Sequence, residues 1–278
     1  MSEVILNECK LKAGEHFGIV SPRVHTPSAV YSESVYKTKL CLPEHSHELA
    51  FFTLIIKGNY SERFGSRCLE YSPMTVLWRG AEISHKDSIN ACSSQFFFIE
   101  IEQSALDKLA QYEKDIPQHL VEQSGTLTWL AARLRREIMS GQNCIPLIAE
   151  GITLEMLGQL GRKNAAATET QAPRWLQRVV ERLNEEFTDN ISSEDLALEA
   201  RVHPVHLASV FRRFYRESIG EYVQKRRVSH ASKLLLNAEI PLADIAYTSG
   251  FSDQSHFNRI FKRFTGTTPG AFRTSMNS

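Results

Sequence analysis

The last third of the sequence contains one pattern twice. Residues 211–222 (FRRFYRESIGEY) recur 50 positions later as residues 261–272 (FKRFTGTTPGAF), with aromatic, basic and glycine residues at matching places. Upstream, residues 195–197 (DLA) recur as 244–246 (DIA), at a separation of 49. Since turns between helices tolerate a difference of one residue, the sequence predicts a supersecondary unit that occurs twice.

A helix-turn-helix is the structure that the first copy predicts. Ser192 and Asp195 have the spacing of a capping box for a helix that runs to about Ala200. Residues 201–203 form the turn, and Pro204 suits the first position of the next helix, where its missing N–H costs nothing. Short helices joined by a turn of three to four residues are typical of this motif.

The second copy predicts the same arrangement with different turn residues. Pro241 begins a helix that ends near Ser249. Gly250 then supplies the left-handed backbone conformation that a tight turn requires. Ser252 is expected to cap the helix that follows. Duplication makes the interpretation as a helix-turn-helix much more specific than either copy alone.

The helix after Ser252 has an apolar face and a polar face. Its predicted buried stripe, spaced i, i+3, i+4 and i+7, consists of Phe257, Ile260, Phe261 and Phe264. On the polar face, Arg and Gln suit bidentate hydrogen bonds to guanine and adenine edges in the major groove. We predict DNA contacts, to bases or to phosphates, from Ser252, Gln254, Ser255, His256, Asn258, Arg259, Lys262 and Arg263. The alternative is an ordinary amphipathic helix with a solvated polar face.

The corresponding helix of the first copy, over residues 204–215, has fewer polar side chains on its outer face. Its core positions by spacing are Leu207, Val210, Phe211 and Phe214. The predicted DNA contacts are Val205, His206, Ala208, Ser209, Arg212 and Arg213. Among these, small apolar side chains suit thymine methyl groups.

One long helix over residues 219–236 is predicted between the two units. Eighteen residues of α-helix are roughly 27 Å long. Such a helix can hold two recognition helices about one turn of DNA apart, near 34 Å.

Charge is distributed unevenly along a chain whose formal net charge is zero. From residue 201 onward there are twelve Arg and Lys residues against five Asp and Glu residues, which makes this segment about +7. Such asymmetry favours a polyanionic partner for the C-terminal part. Charge alone is equally compatible with a solvated surface, so the conclusion depends on the duplicated motif.

The N-terminal part has a different pattern. Short apolar runs such as residues 95–101 (QFFFIEI), separated by turn residues, predict a β-barrel or sandwich. Apolar residues at helical spacing over 127–138 and 148–160 then predict two helices in a hairpin. We expect a sensor and dimerisation domain over 1–162, a linker over 163–172, and an all-α DNA-binding domain over 173–278.

The N-terminus, the length of the apolar runs and the cysteine spacing indicate where the protein is located and whether its cysteines are reduced. The first ten residues lack the apolar stretch of a secretory signal, and no apolar run approaches the roughly 20 residues of a membrane helix. We therefore expect a cytoplasmic protein without membrane contacts. The five cysteines, with no C-x-x-C pair, are then expected to be reduced and mostly buried.

Residues 240–273 (IPLADIAYTSGFSDQSHFNRIFKRFTGTTPGAFR) resemble the signature of AraC/XylS-type transcriptional regulators. The matching positions are Asp244, Ile245, Ala246, Gly250, Phe251, Ser255, Phe257, Phe261, Lys262, Gly266, Thr268, Pro269 and Arg273. The resemblance covers about residues 173–278 and implies two helix-turn-helix units that bind adjacent segments of the major groove. Members commonly carry Arg where this chain has Ser209, which weakens the expectation of a DNA contact there.

The N-terminal part resembles, less specifically, the cupin-like sensor domain of the same family. His45 and His47 are similar to the first cupin motif, and His85 follows a segment similar to the second. Two histidines on one strand face and a third nearby can form a metal site. However, Phe51 and Phe52 stand in the region where metal-binding cupins carry Glu. We therefore interpret the three histidines as an effector pocket or as structural residues, with no metal and no cofactor.

The leading hypothesis is a ligand-responsive, sequence-specific transcription factor with no enzymatic activity. Its expected partners are double-stranded DNA, a small-molecule effector, a second copy of the chain and, for an activator, RNA polymerase. The alternative is a metal-dependent cupin enzyme fused to a DNA-binding tail. A third hypothesis is a constitutive DNA-binding protein whose β-domain only dimerises.

Overall fold

The structure is a computed structural model that describes residues 9–21, 23–64, 67–91, 93–113, 115–123, 125–140, 145–167 and 172–277. By its internal contacts the chain divides into two compact units, Met1–Asn164 and Ala165–Ser278. The first unit is rich in β-strands and the second is helical, in the order that the sequence predicts.

The strands of the first unit are mostly short, because turn residues interrupt the apolar runs. Their bounds are Cys9–Leu11 (β1), Ile19–Val20 (β2), Val24–His25 (β3), Ala29–Tyr36 (β4), Leu40–Cys41 (β5), His45–His47 (β6), Ala50–Lys57 (β7), Tyr60–Phe64 (β8), Arg67–Tyr71 (β9), Thr75–Arg79 (β10), Lys86–Ile89 (β11), Ser94–Ile101 (β12) and His119–Gln123 (β13).

These strands form three sheets and not the closed barrel that the sequence suggests. The largest has the order β13-β10-β7-β12-β4-β2, with β3 also paired to β4. A second sheet has the order β5-β11-β8-β9, and β1 pairs with β6 in parallel. Within the described residues the hydrogen-bonded ladder of the large sheet ends at β13 and at β2. Short strands with turns are common to barrels and sandwiches, so their pattern does not decide closure.

Both faces of the large sheet are covered, which explains its continuous apolar strands. In β7, every residue from Ala50 to Ile56 is buried. Phe51 and Ile55 belong to an aromatic core that also includes residues of the second sheet, such as Tyr60. Because successive side chains of a strand point to opposite faces, Phe52 lies on the other face of the sheet. There it packs against Trp78, with ring centroids 4.6 Å apart.

Helices cover the other face of the large sheet. Their bounds are Gln103–Ala110 (α1), Thr126–Met139 (α2) and Ile145–Ala167 (α3). Helix α2 lies against β7, β10 and β13, and its buried Arg135 Nε donates to Glu33 Oε2 of β4 at 2.6 Å. Helix α3 is joined to β4 by a hydrogen bond of 2.8 Å between the Thr153 and Tyr31 hydroxyl groups.

Helix α3 extends beyond the prediction. It continues to Ala167, into the segment 163–172 that the sequence assigns to a linker, because the Ala-rich stretch favours helix. Residues 168–171 of that linker lie outside the described residues. The predicted apolar stripe is also only partly buried: Ile152, Met156 and Leu160 are in the core, whereas Ile148 is exposed.

The second unit is entirely helical in its described residues. Its helices are Arg174–Glu185 (α4), Ser193–Glu199 (α5), Pro204–Tyr215 (α6), Ile219–Leu234 (α7), Leu242–Thr248 (α8), Gln254–Thr265 (α9) and Pro269–Asn277 (α10). Helix α5 packs on α6, α8 packs on α9, and α7 contacts α6, α8 and α9. The predicted bridging helix is therefore present, two residues shorter than expected.

Local sequence signals fix the ends of these helices. Ser192 accepts a hydrogen bond from the Asp195 N–H at the start of α5, and Pro204 occupies the first turn of α6, as predicted. Ser218 and Glu221 form a complete capping box at the start of α7. Such pairs satisfy backbone donors that a helix end leaves unpaired.

The cysteines of the described residues are free thiols, as predicted, but the prediction that they are mostly buried is wrong. Cys41 and Cys68 are exposed free thiols and Cys9 is half-buried, whereas burial was expected. Cys41 lies on β5 and Cys68 on β9, which are the two edge strands of the second sheet. Edge strands leave more of their side chains in solvent. Cys92 and Cys144 lie outside the described residues.

Candidate nucleic-acid interface and N-terminal pocket

Helix α9 separates its residues into two faces as the sequence predicts. Phe257, Ile260 and Phe261 are buried, although Phe264 is only half-buried. The opposite face carries the exposed side chains of Gln254, Ser255, Arg259, Lys262 and Arg263, with Ser252 exposed just before the helix and His256 and Asn258 half-buried. One helix face therefore presents most of the predicted DNA contacts together.

The predicted cap of α9 is wrong. Asp253, and not Ser252, is the N-cap, and its Oδ1 accepts from the His256 N–H at 2.7 Å. Ser252 Oγ instead donates to the second carboxylate oxygen of Asp253 at 3.0 Å. Asp is as effective as Ser at an N-cap. Residue preference alone therefore could not decide which of these two adjacent residues caps the helix.

Several cations of the basic segment have partners inside the protein. Arg227 donates to the backbone carbonyls of Phe187 and Asp189, at 2.7 and 2.8 Å. Arg263 donates to the side chain of Gln224 on α7 and stacks over the ring of Phe264. Arg259 and Lys262 are therefore the exposed cations of α9 best placed for DNA, and Arg263 is held against α7.

Helix α6 has the same division with a less polar outer face. The exposed residues are Val205, His206, Ala208, Ser209, Arg212 and Arg213. Leu207 and Phe211 are fully buried, while Val210 and Phe214 are half-buried. Val205 is 70% exposed on this face. The first helix-turn-helix therefore brings its predicted contacts together on one face of α6. Arg212 lies at the centre of that face.

The two copies share turn geometry that the sequence did not reveal fully. Gly250 has φ +82° in the turn of the second copy, as predicted, and Arg201 has φ 55° at the equivalent place in the first. At the ends of α9 and α6, Gly266 and Arg216 are both left-handed, with φ 74° and 58°. Alignment of the two copies was the signal that could have located both arginines.

The first unit contains a pocket, lined mostly by buried residues, between β6, β11 and the large sheet. The predicted residues His45, His47 and His85 meet there, and all three are buried. The backbones of His45 and His85 exchange hydrogen bonds of 3.0 and 2.9 Å. Phe51 also lines the pocket, and its ring centroid lies 4.4 Å from that of His47.

Charged residues that the sequence did not single out also line this pocket. Asp87 of β11 is buried, and its Oδ2 lies 3.6 Å from His45 Nε2 and 3.5 Å from His85 Nε2. Arg79 is fully buried and forms an ion pair with Glu62. Side chains alternate between the two faces of a strand, so Asp87 shares a face with His85 while the exposed Lys86 lies on the other. This alternation was the sequence signal that could have identified Asp87 as a pocket residue.

Burial sets the protonation of the pocket. Loss of solvation lowers the pKa of His45, and lowers the pKa of His85 to about 3, with Arg79 adding to the effect on both. Burial also lowers the pKa of His47 well below its usual value. Burial and the nearby Glu62 raise the pKa of Asp87. The three histidines are therefore neutral at pH 7 and carry lone pairs.

Comparison with known proteins identifies the C-terminal part. A helix-turn-helix domain family matches residues 196–275, from α5 into α10. The chain is 36% identical to the probable transcription factor PqrA of Proteus vulgaris over 100 residues, which are 36% of this chain and 78% of PqrA. It is 31% identical to the bifunctional transcriptional activator/DNA repair enzyme AdaA of Bacillus subtilis, over 36% of this chain and 47% of AdaA.

A third relative extends into the N-terminal unit. The chain is 24% identical to the Msm operon regulatory protein of Streptococcus mutans over 246 residues, which are 87% of this chain and 82% of that protein. The matches confirm the resemblance that residues 240–273 carry. Within the described residues no helix is long and apolar enough to cross a membrane. The duplicated helix-turn-helix and these relatives together show that the chain belongs to the AraC/XylS family of DNA-binding transcriptional regulators.

Proposed function

We propose that this regulator binds double-stranded DNA in a sequence-specific manner through the outer faces of α6 and α9. The observation that supports this most strongly is the exposed row of Gln254, Ser255, Arg259 and Lys262, set opposite the buried side chains of Phe257, Ile260 and Phe261. Side chains of these types hydrogen-bond to base edges and phosphates in the major groove. The regulator acts on chromosomal DNA, and therefore in the cytoplasm.

Recovery of bound genomic DNA tests this proposal. The full chain is crosslinked in cells and precipitated, and the DNA is sequenced. A common sequence that the purified protein binds at least about a thousandfold more tightly than random DNA supports the proposal. Uniform recovery of the genome, together with equal affinity for random DNA, would show binding without sequence recognition.

We propose that the N-terminal pocket binds a small effector that changes the affinity for DNA. Several buried polar atoms in the pocket have no hydrogen-bond partner among the described residues, including His47 Nδ1 and Asp87 Oδ1. Such buried atoms are costly unless a ligand or water pairs with them. Effector binding at His45, His47 and His85 would satisfy them. A regulator whose DNA affinity does not respond to any ligand of the pocket would instead fit constitutive binding.

A second copy of the chain is the partner that we propose for α3. Leu147, Gly151, Leu154 and Gly158 follow one another at i, i+4, i+7 and i+11 on its exposed face. Leu147 is 76% exposed and Leu154 is 42% exposed. A Cβ at Gly151 or Gly158 would meet nothing within 4 Å, so another helix can approach closely there. The face therefore suits contact with the same helix of a second copy.

We propose no enzymatic activity. The match with AdaA covers less than half of that protein, and the remaining part of AdaA lies outside the match. If the regulator activates transcription, RNA polymerase is a further partner. Turnover of a substrate by the purified chain, lost when His45 is replaced, would favour the enzymatic alternative.

A further inference from the structure

The outer face of the second sheet carries two free thiols. Cys41 lies on β5 and Cys68 on β9, and both side chains are exposed. Strands β11 and β8 lie between them, so their Cα atoms are roughly 14 Å apart at about 4.8 Å per strand. A disulfide needs Cα atoms about 4.4–6.8 Å apart. The two cysteines cannot bridge each other, so a disulfide at either one has to be formed with another molecule.

Two cations lie between these thiols on the same face of the sheet. Arg63 of β8 is opposite Cys68 on one side and opposite Lys86 of β11 on the other. Directly opposite residues have their side chains on one face, with Cβ atoms about 4.5–5.5 Å apart. Both cations are exposed, and neither forms an ion pair or a side-chain hydrogen bond with another described residue. The Cys68 sulfur therefore lies beside an unpaired guanidinium group.

The acidic residues near this face do not pair with the two cations. Glu70 is two residues from Cys68 and lies opposite Ser61, in the neighbouring row of the sheet. The side chain of Glu62 is buried on the other side of β8, in the ion pair with Arg79. A groove of about 180 Å³ runs over the face and is lined by both thiols and both cations. A small molecule in this groove can lie beside a thiol and a cation together.

Thiol–disulfide exchange is the chemistry that this arrangement suits. Reactive cysteines in proteins are exposed and lie in electropositive surroundings, and a nearby cation attracts a reagent that carries carboxylates. In the exchange, a thiolate attacks one sulfur of a disulfide. The Cys68 sulfur forms the new S–S bond, the S–S bond of the small disulfide breaks, and the released thiolate takes up the proton that Cys68 gave up. The small disulfide is the oxidant, and half of it leaves as a reduced thiol.

We propose that Cys68 is a modification site, which forms a mixed disulfide with a small disulfide bearing carboxylates that Arg63 and Lys86 attract. Cys41 is less suited, since the residue opposite it is Ser88, whose hydroxyl group donates to the Cys41 sulfur at 3.6 Å. Neither cysteine lines the N-terminal pocket. The site is therefore separate from the proposed effector pocket, and the inference does not depend on effector binding.

Peptide mapping by mass spectrometry tests the site. The reduced full chain is treated with less than one equivalent of oxidised glutathione, alongside Cys68→Ser, Arg63→Gln and, as a matched control, Lys108→Gln, which removes an exposed cation from α1. We expect the adduct mainly at Cys68 in the wild type and in Lys108→Gln. An adduct spread evenly over the cysteines, or found mainly at another one, would overturn the proposal.

Reaction rates separate the attraction of charge from simple exposure. The rate of modification at Cys68, obtained by mapping quenched samples, is measured at low salt with oxidised glutathione and with cystamine, a small disulfide that carries ammonium groups instead. One unit charge about 4–6 Å away in water changes such a rate about three- to fivefold. Arg63→Gln should therefore lower the ratio of the two rates by about threefold or more, and added salt should lessen the difference. An equal ratio in Arg63→Gln and Lys108→Gln would contradict the role of the cations.

Discussion

Gly250 packs directly against the backbone of Thr188, and a Cβ at position 250 would lie 2.5 Å from the Thr188 carbonyl oxygen. Gly250 also has φ +82°, a conformation that strains residues with a Cβ. This contact joins the turn of the second helix-turn-helix to the segment between α4 and α5. The position of α9 in the second unit therefore depends on a glycine at this turn.

Replacement of Gly250 by Ala should destabilise the second unit. The left-handed conformation alone costs about 1–2 kcal/mol, and displacement of the Thr188 backbone adds to this. Gly270→Ala is the control, because a Cβ there meets nothing within 4 Å and Ala favours helix. Urea unfolding of residues 173–278 measures both. Equal stability of the two variants would show that the turn does not require glycine.

Arg259 should contribute to base recognition and Lys262 to phosphate binding. Arg259→Ala should cost about 1–3 kcal/mol on the preferred site and much less on random DNA. Lys262→Ala should weaken binding to both DNAs about equally and reduce the slope of log affinity against log salt by about one. Affinities measured over a range of salt concentrations check both. An unchanged ratio of specific to random affinity in Arg259→Ala would move base recognition to Gln254 or His256.

Phe257 should be required for folding and not for DNA contact. Its side chain is fully buried, and its ring centroid lies 5.1 Å from that of Phe251 and 5.4 Å from that of Phe261. Phe257→Ala should lower the free energy of unfolding by about 3–5 kcal/mol. Thermal unfolding measures this, with Lys262→Ala as an exposed control on the same helix. A folded, fully stable Phe257→Ala protein would contradict the burial of this face.

The exposed face of α3 should mediate dimerisation. Residues 1–162 are expected to sediment as a dimer at micromolar concentration, and Leu154→Glu should convert them to monomers because a charge is costly in an apolar interface. Tyr112→Glu is the control, since Tyr112 is 88% exposed and lies outside α3. Sedimentation as a dimer in both variants, or as a monomer in the wild type, would reject this interface.

Features that depend on local pattern could be predicted from the sequence. Helix α6 has the predicted bounds, and Gly250 is left-handed as expected, because caps, proline and glycine act within a few residues. Closure of the β-sheet could not be predicted, since it depends on pairing between distant strands. The alternation of His85 and Asp87 about the exposed Lys86 was a local signal that was overlooked, whereas the approach of Asp87 to His45 joins β11 to β6 and could not be predicted from local pattern.

The combined action of the two helix-turn-helix units is tested most directly by changing the spacing of the recovered DNA site. Helix α7, which contacts α6 and α9, has 16 residues and is roughly 24 Å long. A helix cannot lengthen to span a longer site. Insertion of about 5 base pairs, half a turn of DNA, between the two halves of the DNA site should therefore reduce the affinity of the full chain to nearly that for random DNA. The same insertion outside the site should have no effect. Unchanged affinity after the central insertion would contradict recognition by both units on one DNA face.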